Sequence, residues 1–184
     1  MGTPREPAPV KIFAGLLCND PSLFPLVQEE LAARIGPVDC ATPILPWKVT
    51  AFYEKEMGSG LLRRFVSHTT LTGPGRLAEI KGIAQELEDR HRRKGEEREG
   101  RRVNIDPGYI EASKVVLATS KNAAHRVYLA SGIYGEATLA YRDGAYREYP
   151  YTYPDYRWPQ ALAFFAEVRA IYLRQLKQEA ITGH

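Results

Sequence analysis

The chain has 184 residues, 44% of them hydrophobic and 26% charged. That composition suits a soluble globular protein of one or two small domains and excludes a disordered or fibrous one. A formal net charge of +3 is too small to argue for nucleic-acid binding by itself.

Residues 1–9, MGTPREPAP, read as a disordered leader with no signal-peptide core. Met1-Gly2 opens like a myristoylation site, but Pro4 and Arg5 follow and no second membrane signal appears. The apolar run over residues 10–17 has the length of a buried strand and is too short to span a bilayer. Asp20-Pro21 is a helix start, Leu23, Val27, Leu31 and Ile35 line one helical face, and Gly36-Pro37 ends it. Two short strands are expected over 38–45 and 48–53. A glycine-bearing loop over 54–60 and a strand over 61–71 follow. Thr72-Gly73-Pro74 opens a second helix whose buried stripe is Leu77, Ile80, Ala84 and Leu87. It decays into a mixed-charge run over 88–102 that nearly cancels itself, a candidate sub-boundary near 90–100. Val103 and Ile105 suggest a strand, ended by a type II turn at Asp106-Pro107-Gly108-Tyr109 with Asp106 capping its own turn.

A strand over 115–119 comes next, then two hairpins. Asp143-Gly144 demands a type I′ turn, and residues 133–142 alternate between a mainly apolar set (Ile133, Gly135, Ala137, Leu139) and a polar set (Tyr134, Glu136, Thr138). A three-residue loop, Ala130-Ser131-Gly132, pairs Leu129 with Ile133 and Val127 with Gly135, with positive φ at Gly132. This register sets Arg126 opposite Glu136 and Tyr128 opposite Tyr134 on the polar face, with His125 on the other. Extended through the Asp-Gly turn, it puts Thr138 opposite Tyr149 and Glu136 opposite Tyr151. A tyrosine- and proline-rich tract leads into a C-terminal helix over about 159–178, striped by Leu162, Phe165, Val168, Tyr172 and Leu176. The fold class is therefore α+β: a ferredoxin-like βαββαβ first half followed by antiparallel β-hairpins and a C-terminal helix. Residues 10–184 are expected to form a single domain.

Few motifs carry chemistry. No phosphate-cradling glycine motif, no HExxH and no acidic array is present, so no cofactor and no metal is expected. Cys18 and Cys40 lack CxxC or zinc spacing and suit free, mostly buried thiols on neighbouring strands in a reducing cytoplasm. His68-Thr69-Thr70 matches half of a two-histidine phosphoesterase signature. The only comparable strand, His125-Arg126-Val127, puts Val where a hydroxyl is needed, so each histidine reads as structural. Arg63 and Arg64 read as surface charges. The residues expected to converge are Lys114, Lys121 and Arg126, with Glu136 as orienter or acid/base. Tyr128 and Tyr134 lie beside them, and His125 is a weaker catalytic candidate.

Several stretches resemble one family: KIFAGLL with Asp20-Pro21, YEKEMG (53–58), RRFVS (63–67), NIDPGY (104–109), SKVVLATSK (113–121), HRVYL (125–129), GIYGEATLAYR (132–142) and TYPDYR (152–157). Together they are similar, over roughly residues 10–177, to the bacterial and archaeal family named domain of unknown function 4416. The resemblance implies a small stand-alone cytosolic protein, carries no activity onto these residues and does not require a histidine at position 68.

Three functional expectations follow. The first is binding, with or without turnover, of a small anionic molecule such as a nucleotide or phosphorylated metabolite. The second is an RNA-binding module using the tyrosine-rich sheet face. The third is a structural protein that buries that face in a homodimer. No membrane partner is expected.

Overall fold

The structure is a computed structural model and describes residues 2–93 and 100–182. The candidate boundary near 90–100 lies partly outside the described residues. Strands β1 (Val10–Cys18), β2 (Val38–Ala41), β3 (Leu45–Pro46), β4 (Leu62–Thr72) and β5 (Val103–Ile110) come from the first part of the chain. Strands β6 (Lys114–Thr119), β7 (Val127–Ala130), β8 (Ile133–Arg142) and β9 (Ala145–Glu148) come from the second. All join one antiparallel sheet in the order β2-β4-β1-β5-β6-β8-β7, with β3 on β4 and β9 on β8. Both halves of the chain thus share a continuous sheet.

Helices cover both faces. The even-numbered side chains of β1, among them Ala14, Leu16 and Cys18, pack with Val66 and Ile105 against α1 (Leu23–Ile35) and α3 (Leu77–Arg90). Phe13, on the odd side, packs with Phe65, Val115, Leu117 and Leu139 against Phe164, Phe165 and Val168 of α4 (Pro159–Thr182). Two covered faces explain why β1 is buried along its whole length and, Lys11 apart, apolar rather than alternating. Among the described residues no helix is long and apolar enough to cross a membrane.

Several local expectations are corrected. Residues 48–53 form no strand. The Trp47 indole donates to the Thr50 carbonyl and the Phe52 amide donates to the Thr50 hydroxyl, which folds the segment into turns. A one-turn helix α2 (Glu54–Met57) stands where a loop was expected. Asp106-Pro107-Gly108 is not a turn but the middle of β5, paired with Gly15, Ala14 and Phe13 of β1. Gly108 is required there because a Cβ would lie 2.4 Å from the Val116 carbonyl and 2.6 Å from the Phe13 ring.

The first hairpin reaches its expected register by another route. Val127 pairs with Gly135 and Tyr128 with Tyr134, but Ala130, not Leu129, pairs with Ile133. Ser131 and Gly132 both have positive φ (51° and 76°), so the turn is two residues long, and a bulge at Leu129 restores the faces. The Asp143-Gly144 turn has φ of 51° and 78°, as expected. Arg142 pairs with Ala145 and Leu139 with Glu148, where the paired strand ends.

A second bulge overturns the single apolar face assigned to β8. Val115 pairs with Leu139 but Val116 with Ala137, so Thr138 is an extra residue and the alternation reverses across it. Ile133 faces α3 with Val116 and Ala118, whereas Leu139 and Glu136, opposite Val115 and Leu117, face the α4 side. The polar face is therefore covered at Glu136 and Thr138, while Tyr128 at its outer end stays exposed. Cys18 is buried and Cys40 half-buried, both free, and β4 lies between their strands, so they are not on neighbouring strands. Burial pushes each thiol up to about 11.

Candidate functional site

The sheet forks between β5 and β6. Those strands pair only from Gly108 to Ile110, leaving residues 103–107 without a neighbour on that side. Pro107 is tolerated because its missing N–H falls on the unpaired edge, the side that Ile105 also faces. The Ile105 backbone finds partners on α3 instead: its amide donates to Glu88 (2.6 Å) and its carbonyl accepts from Lys81 Nζ (2.8 Å). Side chains thus replace a strand, and the gap opens into a cavity of about 570 Å³.

Arg63 forms its floor. It projects from β4 on the α4 side, as Phe65 does, and is fully buried. Nη1 donates to Asp106 Oδ2 (3.1 Å), Nη2 donates to the Tyr156 hydroxyl (3.3 Å), and Nε is ion-paired with Asp155 Oδ2 at 3.0 Å. Its guanidinium lies 4.8 Å from the centre of the Phe65 ring. The two carboxylates differ. Burial pushes Asp106 up, but Arg63, Lys81 and a hydrogen bond from Asn104 outweigh it, and the net effect is downward. Burial dominates at Asp155 and raises it against the pull of Arg63, with Asp106 adding to the rise. Carboxylates pushed in opposite directions at one site are the raw material of acid–base chemistry.

One wall comes from β6 and β8. Glu136 is buried beside Leu117 and lines the cavity. Its Oε2 accepts from Arg126 Nε (2.6 Å) and lies 3.1 Å from His125 Nε2. Its Oε1 is equally buried and has no hydrogen-bond partner among the described residues. Arg126 also donates to the Lys121 carbonyl (2.9 Å) and the Tyr153 hydroxyl (2.9 Å), tying the 120–126 loop to the tyrosine tract. Trp47, Phe52 and Tyr53 line the cavity as aromatic side chains. Burial pushes the Tyr53 hydroxyl up to about 12.

Charge around the cavity is matched almost pair by pair among the described residues. Arg101 is bidentate on Glu56 (3.0 and 2.9 Å), Lys81 lies 3.9 Å from Glu88, and Arg126 holds Glu136. Arg63 faces two carboxylates. Lys121 faces none among the described residues; its Nζ lies 5.5 Å from the centre of the Phe52 ring. Among the described residues, no group of histidine, cysteine and carboxylate side chains is arranged to hold a metal.

The expected residues are only partly gathered here. Lys121 and Glu136 line the cavity, and Arg126 stands behind Glu136. His125 is not on the opposite face. It precedes β7, stacks on Tyr151 at 4.1 Å and meets Glu136, because strand alternation does not extend to it. Lys114 lies at the other end of β6, bound to Glu111 (2.5 Å) and opposite Ala140. The strand's own length carries it away from Lys121. Tyr128 and Tyr134 pack edge to face at 5.5 Å on the outer hairpin, away from the cavity lining. His68 is buried with Nδ1 on the Gly36 carbonyl (2.7 Å), and β1, β5, β6 and β8 separate its strand from β7.

Asp155 is not singled out by the sequence, and two readings are corrected: Arg63 is a buried cation and not a surface charge, and Asp106 sits in β5 on Arg63 and does not cap a turn. The usable signal was period two in β4, which puts Arg63 on the same side as the buried Phe65. Asp106 was hidden by a Pro-Gly pair that reads locally as a turn.

No curated protein and no solved structure matches the chain. The sequence model of the family described as domain of unknown function (DUF4416) matches residues 8–172, and the chain belongs to that family.

Proposed function

We propose that the protein binds a small molecule with an anionic group in the cavity at the sheet fork, with that group on Lys121. The observation that carries this reading is Lys121 itself, a lining cation without a carboxylate partner among the described residues, beside a concave wall of aromatic side chains. Arg126, Lys114 and Lys121 were the candidate anion holders. Arg126 is engaged by Glu136 and Lys114 by Glu111, which leaves Lys121. Glu136 is the orienting or acid/base group of this reading, with His125 behind it. Nucleotides and sugar phosphates are the first compounds to test. Ligand at 100 times its dissociation constant adds about 2.7 kcal/mol to the native state. Such compounds should raise the melting temperature of the wild type and of Lys114→Ala, and Lys121→Met should abolish the rise. No hit, or a hit indifferent to Lys121, counts against this reading.

The ferredoxin-like reading of the first half is supported by the order β2-β4-β1-β5 with α1 and α3 on one face. A homodimer is the second functional reading. Val127, Tyr128 and Leu129 are exposed in succession on the edge strand β7, the kind of strand another chain can extend. A monomeric mass by light scattering at high protein concentration removes it. For the RNA reading, Tyr128 and Tyr134 are the aromatic pair on that same outer hairpin.

A further inference from the structure

Asp106 sits mid-strand in β5, paired with Gly15 of β1, yet its side chain is 33% accessible because it lines the cavity at the fork. Both of its donors fall on one oxygen: Arg63 Nη1 at 3.1 Å and Asn104 Nδ2 at 2.8 Å reach Oδ2. Oδ1 has no donor among the described residues and, unlike Glu136 Oε1, is not closed off from solvent. A carboxylate held by two donors on one side accepts a third on the other without first having to be ordered.

The aromatic wall stands next to it. Arg63 touches both, with its guanidinium carbon 5.8 Å from the centre of the Trp47 ring and its Nη1 on Asp106. Tyr53 packs edge to face with Trp47 at 6.1 Å, and its hydroxyl is pushed up by burial first and then by the charge of Asp106. Such rings attract cations through their faces. The balance of charge points the same way. Asp155 shares Arg63 with Asp106, whereas Arg101 and Lys81 are matched by Glu56 and Glu88. With both aspartates ionised, this end of the cavity has one carboxylate more than its cations match. A bound anion would add to that excess, and a bound cation removes it.

We infer that this end of the cavity is a subsite for a primary ammonium group, which donates to Asp106 Oδ1 and has the rings of Trp47 and Tyr53 beside it. The inference goes beyond the anion-binding reading and does not involve Lys121. Its ligands are small amines with an apolar remainder, for which a cavity of about 570 Å³ has room.

The test is calorimetric titration of the full-length protein with three probes of similar shape: phenethylamine, 2-phenylethanol, whose hydroxyl replaces the amine, and 3-phenylpropionate, an acid. Phenethylamine should bind, and 2-phenylethanol should bind about tenfold more weakly, since a neutral donor to a carboxylate is worth less than a charged one. Asp106→Asn should weaken phenethylamine about tenfold and leave 2-phenylethanol unchanged, and Lys121→Met should leave phenethylamine unchanged. The wild-type series decides the matter even if Asp106→Asn folds poorly. Phenethylamine binding no tighter than 2-phenylethanol, or binding equally well to Asp106→Asn, overturns the inference. If 3-phenylpropionate binds in a way that needs Lys121 and phenethylamine does not bind, the inference falls and the anion reading stands. If phenethylamine binds through Asp106 and no anion responds to Lys121→Met, the anion reading falls and the inference stands.

Discussion

Gly15 is a glycine because Arg63 occupies the space of its side chain. A Cβ at Gly15 would lie 2.6 Å from Nη2 and 2.8 Å from the guanidinium carbon. The guanidinium therefore packs directly on β1 at Gly15. Gly15→Ala should expel it and strand Asp106 and Asp155. The expected cost is about 3–5 kcal/mol, as for a broken buried pair. Urea unfolding measures it; a cost below about 1 kcal/mol would mean that the guanidinium moves aside freely.

Arg126→Ala strands Glu136, whose side chain is 1% exposed. An exposed pair would contribute at most about 1 kcal/mol, whereas leaving a buried carboxylate unpaired costs about 3–5 kcal/mol. Arg126→Ala should therefore show the larger loss in denaturant unfolding. Arg126→Ala combined with Glu136→Gln should recover part of it, because the double variant leaves no buried charge unpaired.

Asp106 and Asp155 should respond to pH in opposite senses. Asp106 is held below its unfolded value, so its contribution is present above about pH 4 and is lost as pH falls through the lower folded value. Asp155 is raised, so its contribution is complete below its unfolded value and is lost as pH rises through the folded one. At pH 7, Asp106→Asn should destabilise more than Asp155→Asn, and the gap should narrow toward pH 3. Equal losses at both pH values would contradict this assignment.

His68 supplies a second acid-sensitive group. Burial lowers it, against the opposing effects of the Gly36 carbonyl and Asp39. The unfolded chain therefore takes up a proton near pH 6.5 that the folded chain refuses, and stability falls as pH drops below that value. The slope from this one group is at most about 1.4 kcal/mol per pH unit. Chemical denaturation between pH 7 and 5 should show it, and His68→Gln should flatten the curve. An unchanged slope in that variant would assign the effect elsewhere.

Much of the architecture was legible because it rests on local signals. Asp143-Gly144 announced its turn, Gly36 ended its helix, and the stripes of α1 and α3 followed helical spacing. The pairing of Tyr128 with Tyr134 and the contact of Arg126 with Glu136 were expected from keeping the apolar sets together, although the turn that delivers them is two residues with a bulge and not the three-residue loop. Other features were decided only by tertiary structure. The bulges at Leu129 and Thr138 leave no local mark, and the second moves half of β8 to another face. Asp106-Pro107-Gly108 reads as a turn by its residues and became a strand because β1 supplies pairing on one edge and α3 side chains serve the other. The site belongs to this second class. Arg63, Glu136 and Asp155 come from three separate segments and line one cavity, whose place depends on where the sheet forks. Sequence spacing alone determined the helical stripes and the Asp-Gly hairpin, whose signals are local. It could not determine the fork, because that depends on which long-range pairings stop, and a chain's local preferences do not encode where a distant neighbour leaves off.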